Sequence, residues 1–448
     1  MTEQNENQGG EVKTEPTARS MRTVALTSLG GTSIEWYDFF IYGTAAALIF
    51  PTLFFSEDMP RYVSLLASFS TFAVGFLARP VGGVLFGHFG DRVGRKAALV
   101  TALMMMGVAT TLIGLLPGYA QIGPLAPVLL ILLRFVQGLA VGGQWGGAML
   151  LVTENAPSNQ RGFYGAFAQA GAPAGLVLAN LAFLAVSGNL SDEAFMDWGW
   201  RVPFISSVVL IGLSLYVQLK LEDTEAFKEL AQATEPTEAK PRSPVLKALK
   251  TYPREITLAA GSFLGVQVTF YICVAWIISY GTDPEGLNIA RSDMLMAVLI
   301  STIFSIPANF IFGAWSDRHG RRGIYKTGAI LTAIWGFVMF TMIDTGNWWL
   351  ITGGLAMGHI LISMMYGPQA ALLAELFSTE VRYSGASLGY QLGAILGGGF
   401  APIIATSLLI ASGSSMSIAV YIAVANVLTW LSINALKETH VKDLDSIA

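Results

Sequence analysis

Charged residues are scarce in this chain. They make up 12% of its 448 residues, about half of what soluble globular domains carry. Hydrophobic residues make up 53%, mean hydropathy is +0.56, and the apolar residues are gathered in long runs. This composition excludes a water-soluble globule and predicts an all-α integral membrane protein, because runs of roughly 20 apolar residues cross a bilayer as helices.

Cysteine is nearly absent, and the motifs of enzymes are missing. Cys273 is the only cysteine, which excludes an internal disulfide, and its place inside an apolar run predicts a packing role. No metal-ligand cluster, phosphate-binding loop, nucleophile motif or basic nucleic-acid patch is recognisable. We therefore expect no enzymatic activity, no cofactor, no metal and no nucleic-acid partner.

Twelve apolar segments follow a polar, acidic stretch at the start of the chain. That stretch has no apolar core, so it predicts a disordered tail and not a signal peptide. The predicted membrane segments are 23–50, 62–87, 97–117, 124–152, 162–187, 201–219, 255–281, 293–314, 323–344, 348–376, 384–411 and 415–436.

One long polar gap divides these segments into six and six. The predicted organisation is a cytoplasmic tail over 1–21, a six-helix bundle over 22–219, a cytoplasmic linker over 220–254, a second six-helix bundle over 255–436 and a cytoplasmic tail over 437–448. With both termini inside, the cytoplasmic loops and tails would hold 21 of the 26 lysines and arginines. This asymmetry predicts that orientation.

The two halves repeat a charged turn. GHFGDRVGRK at 87–96 follows the second segment, and GAWSDRHGRR at 313–322 follows the eighth. A second repeat pairs TENAPSNQRGFYGA at 153–166 with AELFSTEVRYSGAS at 374–387. The chain therefore reads as two parallel repeats of six helices, each with the same charged turn at the same inner corner.

These motifs resemble those of a known family. The turn at 87–96 is similar to the signature loop of the major facilitator superfamily, and RFVQGLAVGG at 134–143 is similar to its second motif. SIEWYDFFIYG at 33–43 and WGWRVPF at 198–204 resemble the metabolite:proton symporter branch, which includes shikimate, alpha-ketoglutarate, citrate and proline/betaine permeases. The resemblance covers about 22–436 and implies alternating access between two bundles around a central cavity.

The resemblance also implies which charged residues form the inner gate. It implies that Asp91 helps to lock that gate, with Glu154, Arg161 and Arg382 resembling its partners. We expect Asp91 to face Arg382, and Asp317 to face the start of the fifth segment near Arg161. The full predicted gating set is Asp91, Arg92, Arg95, Glu154, Arg161, Asp317, Arg321, Glu375 and Arg382.

Ionisable groups inside a membrane are costly and are therefore functional candidates. Glu35 and Asp38 lie on one face of the first segment, Arg79 lies in the second, and Arg134 lies near the midplane in the fourth. We predict Asp38 as the proton carrier, with Glu35 and Arg79 also in proton coupling. Arg134 is predicted to anchor a substrate carboxylate, because a guanidinium fork suits that group. The alternative is a set of structural ion pairs between helices.

Polar residues in several segments complete the predicted substrate site. With Arg134, this set is Tyr42, Gln137, Gln144, Gln169, Gln267, Tyr271, Tyr366 and Tyr390. Helix-to-helix hydrogen bonding is the alternative role for any one of them. Gln144 stands in GGQWGG, where the family branch usually has an acid, so no carboxylate role transfers to it.

The predicted function is proton-coupled import of a small organic acid, with a shikimate-like hydroxylated carboxylate as first choice. The predicted protein is a monomer in the cell membrane, whose partners are its substrate, protons and the lipid bilayer. One alternative is a symporter of a zwitterionic osmolyte such as proline or betaine. The short stretch after the twelfth segment disfavours it, since the osmosensing member of the branch carries a long coiled coil there. The other alternative is a ligand-sensing receptor.

Overall fold

The computed structural model of the protein describes residues 18–93, 95–142, 149–150, 152–154, 156–222, 244–378 and 381–439. The regular structure of these residues is entirely helical. Twelve long helices follow the order of the predicted segments: α1 Ala18–Leu48, α2 Arg61–Val93, α3 Arg95–Leu115, α4 Leu125–Gly142, α5 Arg161–Ser187, α6 Arg201–Glu222, α7 Pro253–Gly281, α8 Arg291–His319, α9 Arg321–Ile343, α10 Trp348–Leu376, α11 Arg382–Ser412 and α12 Met416–Ala435. Short helices lie between them at Phe50–Leu53, Tyr119–Ile122, Asp192–Ala194 and Pro244–Thr251.

Nine of the long helices in the described ranges are long and apolar enough to cross a membrane on that basis alone. The other three are α1, which carries Glu35 and Asp38, together with α3 and α6, whose apolar stretches are Val100–Leu115 and Arg201–Gly212. They complete the predicted set of twelve, α1 to α6 in one bundle and α7 to α12 in the other.

The first helix begins earlier than the sequence predicted. Residues 18–21, predicted as part of a disordered tail, already belong to α1. Met21, Val24 and Ala25 are buried against Val152 and Tyr164. This apolar contact, which the local sequence does not reveal, extends the helix towards the N-terminus, while residues 1–17 lie outside the described part.

Glycines allow close helix crossings within and between the bundles. A Cβ atom at Gly82 would lie 2.0 Å from the carbonyl oxygen of Leu139, which brings α2 against α4. A Cβ at Gly162 would lie 2.4 Å from the carbonyl oxygen of Gly313, which brings α5 against α8 across the bundles. Small residues at such crossings let backbones approach within a membrane.

The two bundles are joined by pairings of α5 with α8, α5 with α10, α2 with α11, and α1 with α7. In the last two pairings the second-bundle helix contains a π-helical turn, Ile272–Trp276 in α7 and Ile395–Gly399 in α11. The start of α1 and the end of α12 lie at one end of the molecule, which we call the terminus-side end. The other end, where α2 begins and α7 finishes, is called the opposite end.

Candidate functional site

Two adjoining cavities lie between the bundles, near the middle of the helices. The first is a small cavity lined by Glu35, Trp36, Phe39, Arg79, Val141, Tyr390 and Gln391. The second, also small, is lined by Trp36, Ala172, Val266, Gln267, Phe270, Tyr271, Ile362, Tyr366 and Tyr390. Both bundles contribute to each cavity, and Trp36 and Tyr390 line both, so we treat them as one central site.

Arg79 is the cation that faces this site. Its guanidinium carbon lies 4.4 Å from the ring centre of Phe39 and 4.5 Å from that of Phe76. The hydroxyl groups of Tyr271 and Tyr390, in the second bundle, are close enough to interact with it. Arg79 is only 1% exposed, and its Nε and Nη2 atoms have no hydrogen-bond partner. A buried guanidinium with unused donors is suited to binding an anion.

Glu35 and Asp38 have different surroundings, although they lie three residues apart on α1. Glu35 lines the central site with Arg79, but no ion pair joins the two side chains, both of which are described. Asp38 is 1% exposed and lies close to the Ser207 hydroxyl of α6. Neither carboxylate oxygen of Asp38 has a hydrogen-bond partner. Asp38 is therefore buried away from both arginines.

Arg134 lies beside the central site but does not line it. Its guanidinium carbon lies 4.1 Å from the ring centre of Tyr42, 4.4 Å from that of Phe39 and 5.0 Å from that of Phe72. Its Nη1 atom donates to Gln137 over 3.0 Å. These aromatic rings cover Arg134, so it does not reach the cavity in the predicted role of carboxylate anchor; Arg79 faces the cavity instead.

The other predicted substrate residues divide into two groups. Gln267, Tyr271, Tyr366 and Tyr390 line the central site. Tyr42, Gln137 and Gln169 do not: the Tyr42 hydroxyl donates to Thr71, the Gln137 amide to Thr110, and the Gln169 amide to the carbonyl oxygen of Tyr366. These three side chains hold helices together, the alternative role that the sequence left open. Gln144 lies outside the described residues.

Sequence reasoning missed the aromatic and amide side chains that complete the site. Trp36 and Phe39 were not among the predicted residues, because an aromatic residue in an apolar run looks like ordinary packing. Their position beside Glu35 and Asp38 was the one available signal. Gln391 adjoins the predicted Tyr390, and Phe270 adjoins the predicted Tyr271.

Cross-bundle contacts close the terminus-side end. Asp317 accepts hydrogen bonds from the backbone nitrogens of Gly162 and Phe163, at 2.7 and 2.8 Å. Arg382, at the start of α11, pairs with Glu154 over 3.1 Å. The structure thus places Asp317 at the start of α5, next to Arg161, where it was expected. The side chains of Asp91, Arg92 and Arg95 lie outside the described residues.

A buried charge network supports Asp317 from within the second bundle. Arg321 pairs with Asp317 over 2.6 Å and with Glu375 over 3.1 Å. Both oxygens of Glu438, just after α12, accept from the backbone nitrogens of Arg321 and Arg322. Arg321 is 1% exposed, so the repeated turn is fixed by ion pairs shielded from water.

Contacts between the bundles also close the opposite end. Arg61, at the start of α2, pairs with Asp283, just after α7, and the Tyr62 hydroxyl donates to the same carboxylate over 3.2 Å. Arg291, at the start of α8, pairs with Asp192 over 3.2 Å. Since both ends are closed, the central site is enclosed between two sets of polar contacts.

A polar site enclosed between two six-helix membrane bundles defines a transporter, because a ligand can reach it only when one end separates. Two protein families match the chain. The family described as Sugar (and other) transporter matches residues 23–243, and the family described as Major Facilitator Superfamily matches residues 284–445. The chain belongs to the major facilitator superfamily, in its branch of metabolite permeases.

Similar proteins cover nearly its whole length. The inner membrane metabolite transport protein YhjE of Escherichia coli is 43% identical over 95% of this chain and 96% of its own length. The shikimate transporter of the same organism is 38% identical, over 94% and 95%. The Escherichia coli proline/betaine transporter is 31% identical, over 94% and 84%. A partially occluded, inward-open structure of the xylose transporter XylE from Escherichia coli has the same fold, with a TM-score of 0.73 at 17% identity over 95% of this chain and all of that one.

Proposed function

We propose that this transporter is a proton-coupled symporter of a small hydroxylated carboxylate, and that Arg79 binds the carboxylate. The observation that carries the proposal is the buried guanidinium of Arg79, which lines the central site with unused hydrogen-bond donors and, among the described residues, pairs with no acidic side chain. A bound carboxylate would supply a negative charge beside the Arg79 guanidinium and hydrogen-bond acceptors for its unused donors.

The other walls of the site favour a substrate with hydroxyl groups. Tyr271, Tyr390, Gln267 and Gln391 offer hydroxyl and amide groups that both donate and accept. Trp36 adds an apolar surface suited to a ring. Shikimate, the substrate named for a 38% identical relative, combines one carboxylate, a ring and hydroxyl groups, so it is the first compound to test.

Asp38 is the proposed proton carrier, and Glu35 the proposed second carboxyl in coupling. An unpaired carboxylate is costly away from water, so the buried Asp38 is most easily held when it is protonated. Opening of the bundles would admit water to α1 and let the proton leave. Glu35 shares the cavity with Arg79 and would respond to substrate directly.

The two closed ends would act as alternating gates. The terminus-side end carries most of the basic residues, so we propose that it faces the cytoplasm. Glu154, Arg161, Asp317, Arg321, Glu375 and Arg382 would close that gate, with Asp91, Arg92 and Arg95 in the matching turn of the first bundle. A monomer contains both gates and the complete site, so we propose it as the working unit.

The test is shikimate uptake into proteoliposomes that contain the purified protein. Uptake should rise with an inward proton gradient and collapse with a protonophore. Arg79→Lys should weaken binding roughly ten- to a hundredfold, since bonds to charged groups contribute about 1.5–3 kcal/mol and lysine lacks the fork. Arg134→Lys is the matched variant and should weaken binding less. If Arg134→Lys weakened binding more than Arg79→Lys did, Arg134 would be the carboxylate anchor. A protein that binds no carboxylate would refute the proposal.

A zwitterionic osmolyte is the second candidate. The faces of Trp36, Phe270, Tyr271, Tyr366 and Tyr390 surround part of the site, and aromatic faces bind quaternary ammonium groups. Betaine could then place its carboxylate at Arg79. Betaine binding that displaces or exceeds that of shikimate would favour this candidate.

A further inference from the structure

The ring of Phe39 contacts both buried arginines of the first bundle. The guanidinium carbons of Arg79 and Arg134 are each 4.4 Å from the centre of this ring, so they lie within twice that distance of each other. Phe39 lines the central site together with Arg79, whereas Arg134 does not line it. One aromatic side chain therefore stands between the cavity and a second cation.

Neither cation has an anionic partner within the described part of the chain. Among the described residues no carboxylate pairs with either guanidinium, and the Nε and Nη2 atoms of both arginines have no acceptor. Two like charges held this close in a poorly solvated interior are unfavourable. The faces of Phe39, Tyr42, Phe72 and Phe76 offset part of that cost through cation–π contacts.

We propose that Phe39 is a specificity-determining residue that limits the site to one substrate carboxylate. Its ring lines the cavity together with Arg79 and packs on the guanidinium of Arg134, which does not line the cavity. A monocarboxylate can then pair fully with Arg79. The second carboxylate of a diacid would lie against the ring and the apolar wall without a cation, at the full cost of desolvation. This inference rests on the proposed binding of a carboxylate at Arg79.

Removing the ring should expose the second cation. In Phe39→Ala the space that the ring occupied would join the cavity, because Phe39 is one of its lining residues. The Arg134 guanidinium is held from other sides by Tyr42, Phe72 and the hydrogen bond to Gln137. It would thus keep its position, and the face of its guanidinium that Phe39 now contacts would be open to a second carboxylate.

The experiment compares two acids of equal chain length that differ by one carboxylate, butyrate and succinate, with shikimate as a third probe. Binding to purified wild-type, Phe39→Ala and Phe39→Leu protein is measured at neutral pH, where succinate is a dianion. Phe39→Ala should raise the affinity for succinate relative to butyrate by about tenfold or more, the value of one added charge-assisted contact. Phe39→Leu removes the aromatic face but still fills the gap, so it should keep the wild-type preference.

A second variant tests whether the gain in succinate affinity depends on Arg134. In Phe39→Ala combined with Arg134→Gln, the gain for succinate should disappear, while binding of butyrate and thermal unfolding report that the protein is folded. An unchanged succinate-to-butyrate ratio in Phe39→Ala, or an equal gain in Phe39→Leu, would overturn the inference and leave the proposed function intact. A wild-type protein that binds none of the three acids would overturn the proposed function, and this inference with it.

Discussion

Asp38 shows at the scale of one residue how burial can create a proton-binding group. Both of its carboxylate oxygens lack a hydrogen-bond partner, and the nearby polar group is the uncharged Ser207 hydroxyl. A buried carboxyl without a cation is stable mainly in its protonated form. We propose that the group gains and loses its proton as the bundles move, which is what coupling to a proton gradient requires.

Asp38→Asn should consequently separate transport from the proton gradient. Asparagine is close in shape and permanently neutral, so the closed state is retained while proton release is lost. Accumulation of shikimate driven by a proton gradient should stop, whereas exchange of labelled for unlabelled shikimate should continue. Asp58→Asn, in the exposed loop before α2, is the control and should leave both activities unchanged. Gradient-driven accumulation that survives in Asp38→Asn would remove this residue from the coupling mechanism.

At the scale of an element, the π-helical turn of α11 forms part of the contact between the bundles. The turn ends in three consecutive glycines, Gly397, Gly398 and Gly399. A Cβ atom at Gly398 would lie 2.7 Å from the ring of Tyr271 and 2.8 Å from the ring of Phe76. Phe76 belongs to α2, and its ring packs on the Arg79 guanidinium. The glycine thus lets α11 approach the first bundle next to Arg79, the proposed carboxylate anchor.

Gly398→Ala should therefore hinder closure around the central site. Added volume in a packed interior typically costs about 1–3 kcal/mol, and here one of the displaced rings, that of Tyr271, lines the site. Shikimate affinity should fall several-fold, with a smaller change in thermal stability. Gly323→Ala in α9 is the matched control, because nothing lies within 4 Å of a Cβ atom at that position. Equal effects of the two substitutions on binding would show that the α11 turn has no special part in closure.

At the scale of the whole molecule, the two ends are closed by contacts of unequal strength. At the terminus-side end the Arg382–Glu154 pair, which joins the two bundles, is mostly buried, with side chains 3% and 23% exposed. At the opposite end Arg61 is 43% exposed where it pairs with Asp283. Breaking a buried pair costs about 3–5 kcal/mol, whereas an exposed pair is worth about 1 kcal/mol or less. The terminus-side gate is thus the more strongly held of the two.

Asp317→Asn and Asp283→Asn should therefore move the molecule in opposite directions and by different amounts. The first should populate a state open at the terminus-side end, and the second, more weakly, a state open at the opposite end. Even about 1 kcal/mol shifts a balanced two-state equilibrium severalfold. Arg318→Gln and Glu285→Gln change neighbouring charges outside these contacts and are the controls.

Distances between spin labels on exposed residues would measure these shifts, in a background with Cys273→Ser. Labels at Asn159 and Thr327 report on the terminus-side end, and labels at Asp58 and Thr345 report on the opposite end. We expect a longer first distance in Asp317→Asn and a longer second distance in Asp283→Asn. If neither distance changed while transport was lost, the contacts would be structural supports and not gates.

Asp91→Asn, in the matching turn, is expected to impair transport more than Asp317→Asn.

The sequence by itself determined the membrane class, the count of twelve helices and the division into two bundles. These properties depend on apolar run length and on motifs repeated along the chain, and both can be read without knowing how helices pack. The position of Asp317 at the start of α5 was predicted for the same reason, since the turn and its partner both carry recognisable motifs. The sequence could not single out Trp36 and Phe39. An apolar residue in an apolar run looks the same in the sequence whether it lines a cavity or packs between helices.

Only the tertiary structure decided which charged groups face the central site. Arg79 and Arg134 are equivalent in sequence terms, each a single cation in an apolar segment, but the ring of Phe39 leaves one exposed to the cavity and covers the other. Glu35 and Asp38 share a helical face, yet one lines the cavity and the other lies against α6. Helical periodicity determines the direction in which a side chain points from the axis of its own helix. What that side chain meets depends on how neighbouring helices cross, which is set by contacts between residues far apart in the chain.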